Sequence, residues 1–317
     1  MSKPFKDYLG ARPFIYGRDL LKRIGIQGHY IDENDVVDFL GYETRPLNPV
    51  EQREILEHNG IGDIFDDTCA ITFYHDSIMF ISESLPTTRK RCTIFHETGH
   101  DINDFHPKGL ISIGKDSEID TASYKIVEKD AFLAGSEVMF PLKHFISDST
   151  SLPLKLASIE SIAQRYTASF EATAIRYALT NQNIMAFVVV KENDLTTNLT
   201  TTTENQQTYQ DFLPVQIPLS IRPDTSNTVP APLRVQYCVR SHHFPKFIKS
   251  GNEINEGNLI YQCWTSGISL TGEIPASVFG STAIFTYTAE CHKINNRVFV
   301  LLSLPDKQIK LFNGANL

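Results

Sequence analysis

The sequence predicts an α+β chain in which a helix-rich N-terminal region precedes a β-rich C-terminal one. Three observations carry that expectation. Apolar residues recur at helical spacing before residue 180, whereas alternating and β-branched runs dominate after it. Charge divides at the same place: residues 1–180 carry the whole net charge of −8, and residues 181–317 balance acids against bases. A polar Thr/Asn/Gln tract at 195–210 and a Pro/Ser/Thr/Asn-rich stretch at 222–232 then read as loops or linkers. With 317 residues, two domains are expected, at 1–182 and 183–317.

Short helices are expected at 16–24 and 35–40, the second ending at Gly41. Residues 69–74 and 78–82 are apolar and β-rich, and the His75-Asp76-Ser77 break between them signals a hairpin. Pro86 stops the second strand, and Thr87 or Thr88 is placed to cap a helix running to about residue 103. Further helices are expected at 127–138, before Pro141, and at 158–166 and 170–179, the last two forming a helix–turn–helix-like pair. Strands are expected at 184–190, 234–239, 259–264, 283–287, 297–302 and 308–312.

Hydrophobic residues make up 41% of the chain and charged ones 21%, an ordinary globular composition. The acidic balance argues against bulk electrostatic binding of nucleic acid. The first residues carry positive charge but no following apolar run, and no stretch approaches the ~18 apolar residues of a membrane span. Five cysteines (Cys69, Cys92, Cys238, Cys263 and Cys291) form no CxxC pair, which suits reduced thiols in a cytoplasmic protein. No membrane partner is expected, and the oligomeric state is open.

The chemistry concentrates in Arg91–His100. His96-Glu97-Thr98-Gly99-His100 is an HExxH motif. Residues four apart on an α-helix differ by roughly 400° of rotation, so His96 and His100 nearly superpose and can grip one metal ion. Glu97 projects beside them, placed to act as general base on water without itself binding the ion.

A catalytic zinc site needs a third protein ligand. Asp104, His106, Glu118, Asp120, Glu128 and Glu137 follow the motif. His106 sits at the last position of the HExxHxxGxxH spacing of metzincin peptidases, with Asn103 in place of glycine and able to turn a helix end through the left-handed region. Glu128 is favoured instead. It opens an expected helical segment in which Ala131, Phe132 and Gly135 share its face, and two small residues there would let that helix approach the first closely. Two His and one Glu suit Zn²⁺, and also Mn²⁺ or Fe²⁺.

These two segments together resemble the ImmA/IrrE family of metallopeptidases. Arg91–His100 matches the family's Arg-x-x-x-x-His-Glu-x-Gly-His, and Glu128 with Ala131 matches its Glu-x-x-Ala, with Met139-Phe140-Pro141 at the expected distance. Departures are Phe132, where the family usually has Asn, and Ala134-Gly135, where it has Phe-Ala. Ser158, Ala163 and Tyr166 fit a further family segment, so the resemblance spans about residues 30–180. It implies a zincin-like metallopeptidase domain. His96, His100 and Glu128 would be the metal ligands and Glu97 the general base. A protein substrate is implied too, a helix–turn–helix repressor whose cleavage derepresses stress-response or mobile-element genes. The C-terminal region would then be a sensor-like or dimerisation domain, with an activating ligand or nucleic acid as its partner.

Other readings remain at this stage. The helical pair at 158–179 can read DNA directly, although Arg165 and Arg176 are few charges for that task. The chain can also sequester a repressor without cutting it. Arg89-Lys90-Arg91 can face acidic substrate, nucleic acid or solvent alone. Tyr124 and His144 lie near enough in sequence to donate to an oxyanion, but spacing selects neither.

Overall fold

A computed structural model describes residues 12–48, 50, 54, 69–106, 121–192, 232–245 and 248–305, with 121–125 by backbone alone. The expected strand at 308–312, the tract at 195–210, nearly all of 222–232, and Glu118, Asp120 and the Tyr124 side chain lie outside the described residues. The chain divides into two compact units. One holds the described residues up to Asp148 together with Ser161–Thr173, the other Ser149–Glu160 together with those from Ala174 onward.

The first unit opens with α1 (Arg12–Ile24) and α2 (Glu33–Leu40). Asp32 caps α2 by accepting from the Asn34 amide at 2.9 Å, and Gly41 ends it at φ 80°, the left-handed value that its lack of a Cβ makes easy. A three-stranded sheet follows, in order β1-β3-β2: β1 (Glu43–Leu47), β2 (Ala70–Phe73) and β3 (Ile78–Ser82). The hairpin between β2 and β3 is as expected, with Ser77 in the left-handed region at φ 53°. The edge strand β1, parallel to β3, was not legible, because its first four residues are exposed and it carries Pro46, which only an edge tolerates.

Across this sheet lies α3 (Thr87–Ile102), its Ile94 packed with Val37, Met79 and Ile81. The expected threonine cap is not formed. Pro86 is the N-cap, and its carbonyl accepts from the Arg89 and Lys90 amides. Next comes α4 (Thr121–Met139), which begins six residues before the expected start. It is followed by α5 (Leu142–Ser151), a helix that the sequence reading missed, then α6 (Leu156–Arg165) and α7 (Phe170–Thr180) close to their expected bounds.

In the second unit an antiparallel six-stranded sheet has the order β6-β5-β4-β9-β8-β7. Its strands are β4 (Met185–Glu192), β5 (Leu233–Arg240), β6 (Glu253–Ile254), β7 (Leu270–Pro275), β8 (Thr286–Ile294) and β9 (Arg297–Ser303). One expectation fails here. Residues 259–264 lie not in a strand but in α8 (Leu259–Ser266). Asn258 caps that helix by accepting from the Ile260 and Tyr261 amides at 2.9 and 3.1 Å, and Gly267 ends it in the left-handed region. Inside the unit, Val188, Val190, Val298, Val300 and Phe279 form part of one buried cluster. None of the five cysteines forms a disulfide. No described helix is long and apolar enough to cross a membrane.

Candidate metal centre

Two helices build the site, and glycine decides how near they come. A Cβ added to Gly99 of α3 would stand 2.0 Å from the Ala131 carbonyl oxygen of α4, and one on Gly135 would stand 2.1 Å from the Phe95 carbonyl oxygen. The two backbones therefore touch reciprocally, each through a residue without a side chain. That approach lets a carboxylate on α4 reach the histidines of α3.

Glu128 is that carboxylate. It lies in the interior of α4 rather than in a first turn, so interaction with the helix dipole does not account for it. His96 Nε2 lies 3.0 Å from Glu128 Oε2, His100 Nε2 lies 3.3 Å from Glu128 Oε1, and the two Nε2 atoms are 3.2 Å apart. A tetrahedral ion with bonds of ~2.0–2.1 Å sets its ligand atoms about 3.3 Å apart. The two ring nitrogens and the carboxylate oxygen nearest each of them are thus spaced as such an ion requires, and one donor atom from each of the three residues lies within 4.8 Å of the others. Among the described residues these three side chains are the group able to hold a metal.

The charges of the site keep Glu128 in its ionised, ligating form and favour the protonated His96 ring, whose proton a metal ion would displace. Burial alone would raise the Glu128 carboxyl, but hydrogen bonds and charge from His100 and His96 outweigh it and hold the group far below the ordinary glutamate range. Burial would likewise depress the His96 imidazole, yet the Glu128 hydrogen bond and the Glu128 and Glu97 charges hold it above its ordinary value.

Glu97 points to the sheet side of α3, where Thr72 Oγ1 on β2 donates to its Oε2 at 2.7 Å. Tyr74 opens the turn after β2 and lies close enough to Glu97 to feel its charge. Burial, then the charges of Glu97 and other acids including Glu128, push the Tyr74 phenol upward and keep it a donor. Tyr42 packs edge-on against Tyr74 at 6.4 Å and donates to Asp101 Oδ1 at 3.0 Å. Sequence reasoning missed Thr72, Tyr74 and Tyr42. The hairpin was visible, but which of its faces meets the motif helix depends on the packing of sheet on helix. His144, weighed as an oxyanion donor, instead packs tilted against His29, at 52° and 4.7 Å between ring centroids.

The remaining ligand candidates separate. Asp104 is exposed in the turn after α3, and Glu137 is fully buried, accepting from the Leu142 amide at 3.2 Å. His106 lies behind His100, with Nδ1 facing Nδ1 at 3.2 Å. The metzincin route fails at Asn103, which is extended (φ −86°, ψ 110°) rather than left-handed.

Arg91 does not face solvent or substrate. It is fully buried and donates to Glu33 and to the carbonyls of Ile31 and Tyr166, with its guanidinium over the rings of Tyr30 and Phe95. The arginine that leads the motif thereby ties α3 to the chain segments around residues 31 and 166.

Residues 56–177 match the family model of the IrrE N-terminal-like domain, Peptidase_M78. This bears out the resemblance read from the motif helix and its glutamate partner. No curated protein matches the chain. Among solved structures, a Mycobacterium tuberculosis transcriptional regulator is similar at a TM-score of 0.50, covering 99% of this chain and 85% of that one. Sequence identity is 8%, so the likeness is one of fold. An α+β chain with an IrrE-like domain and a C-terminal β-sheet region is therefore established, and the IrrE-like match makes it a candidate peptidase.

Proposed function

We propose that this protein is a zinc-dependent endopeptidase whose metal ligands are His96, His100 and Glu128 and whose general base is Glu97. The observation that carries this reading is the convergence of two imidazole nitrogens and the Glu128 carboxylate, whose nearest separations of 3.0–3.3 Å match the ligand spacing of a tetrahedral ion. A bound divalent ion supplies positive charge that polarises a peptide carbonyl and acidifies water to a pKa near ~7. Glu97 takes the proton of the attacking water on one carboxylate oxygen while Thr72 holds the other, and then returns it to the departing amine. Tyr74, kept protonated beside these acids, is available as a donor to the developing oxyanion.

The substrate in this reading is a helix–turn–helix repressor whose cleavage derepresses stress-response or mobile-element genes in the cytoplasm. The similar solved structure is that of a transcriptional regulator, which agrees with a role in transcription. The functional division falls near residue 182. The β-rich part then receives the activating ligand or nucleic acid, or makes a dimer contact.

The test is co-expression with a helix–turn–helix repressor, sought first among the products of neighbouring genes, followed by sequencing of the repressor's termini. A new terminus that appears with the wild-type protein and not with Glu97→Gln supports proteolysis. An intact repressor that co-purifies with the protein would replace cleavage by sequestration.

A further inference from the structure

His106 is buried, and the turn that delivers it is tied down at both ends. Asn103 Nδ2 donates to the Gly99 carbonyl at 2.7 Å, closing the end of α3, and the His106 amide donates to the Asn103 carbonyl at 3.1 Å. This places the His106 ring 5.1 Å from the His100 ring, inclined at 55°, with the two Nδ1 atoms 3.2 Å apart. The opposite nitrogen of His100, Nε2, faces His96 and Glu128.

We infer that His106 is a positioning residue for the metal centre: its Nδ1 accepts the Nδ1–H of His100 and fixes His100 in the tautomer that leaves Nε2 open to an ion. The direction of the bond follows from the chemistry. A neutral imidazole has one N–H, and a nitrogen bound to a metal cannot carry it. If His100 binds through Nε2, its proton resides on Nδ1, and the facing nitrogen of His106 must be the acceptor. His106 is then the tautomer protonated at Nε2. Ligating histidines usually give their second N–H to a carboxylate, carbonyl or water, and loss of such a partner typically weakens metal binding 10–100-fold. Here another imidazole takes that place. The inference rests on the metal-site reading above.

The experiment measures Zn²⁺ affinity of the full chain by competition with a chromogenic chelator. Wild type is compared with His106→Phe, which keeps a ring without an acceptor, and His106→Asn, which offers an oxygen near the position of Nδ1. Thermal melts check that each variant is folded. His106→Phe should bind zinc 10–100-fold more weakly, and His106→Asn should stay close to wild type. Equal affinity in all three overturns the inference, as does equal weakening of both folded variants, which would make the ring's packing the cause. Failure of the wild type itself to take up zinc removes the metal-site reading instead. If His106→Phe does not fold, nitrogen NMR of the zinc-loaded wild type decides. The inference requires protonated Nδ1 on His100 and unprotonated Nδ1 on His106; a proton on the latter overturns it.

Discussion

His96 and His100 converge because one helical turn separates them, and Glu97 diverges because one residue rotates it by roughly 100° towards the sheet. In the proposed reading the three side chains therefore divide their tasks by position alone. Glu97→Gln should retain zinc and lose cleavage, whereas His96→Ala and His100→Ala should lose both. Metal content and repressor cleavage measured on the same preparations check this, and full cleavage by Glu97→Gln would sink the assigned role. Thr72 contributes one hydrogen bond to Glu97. Its loss in Thr72→Val should lower cleavage roughly tenfold, on the order of one hydrogen bond of orientation, and Thr72→Ser should restore it. A valine variant with unchanged turnover would show that the bond is idle. At this scale the sequence was most informative where spacing and chemistry coincide. The HExxH pair is local, so helix geometry alone joins it. Thr72 lies 25 residues from Glu97 and meets it only through tertiary packing.

At the scale of elements, the site depends on how closely α3 and α4 approach. Gly99 and Gly135 are the reciprocal contact points, and Gly17 of α1 lies as near the other side of α4, where an added Cβ would stand 2.6 Å from the Ala134 carbonyl oxygen. Gly135→Ala should force the helices apart, destabilise the chain by roughly 1–3 kcal/mol or more, and weaken zinc binding in parallel. Denaturant melts and zinc titration test it; wild-type values in both would show that the helices yield without cost to the site. The small residues around Glu128 were legible as a close-packing surface, but the start of α4 was not, since apolar periodicity is weak over its first turns. The helix at 259–266 shows the opposite failure. Its Leu-Ile-Tyr-Gln-Cys-Trp run has strand-like composition, and the deciding signals are its flanks, Asn258 and Gly267. The β8–β9 hairpin was likewise underestimated. Two residues, Asn295 and Asn296, join Ile294 to its partner Arg297, and Asn295 adopts the positive φ such tight turns need.

For the molecule as a whole, acid stability should reflect Asp148. This buried carboxylate is bonded by His29 at 2.8 Å and Tyr166 at 2.9 Å and paired with Arg165. Burial would raise its pKa, but these partners prevail and hold it below the ordinary aspartate value. A depressed folded-state pKa contributes stability that is present above the unfolded value, about 3.9, and is lost as pH falls through the lower folded value. Asp148→Asn should therefore cost on the order of 2 kcal/mol at neutral pH and show a shallower loss of stability below pH ~4. Melting the two proteins across that range tests the sign, and parallel curves would contradict it. The charge asymmetry and the change from helix to strand near residue 180 were both visible in composition. The sharing of α5, α6 and α7 between the two compact units was not, because it depends on contacts distant in sequence.

The central claim is that His96, His100 and Glu128 clasp one divalent ion. X-ray absorption at the zinc edge of the stoichiometrically loaded protein tests it most directly. Two imidazole nitrogens and at least one oxygen at about 2.0–2.2 Å are expected. A first shell containing sulfur at about 2.3 Å, or zinc that does not bind at one equivalent, would contradict it.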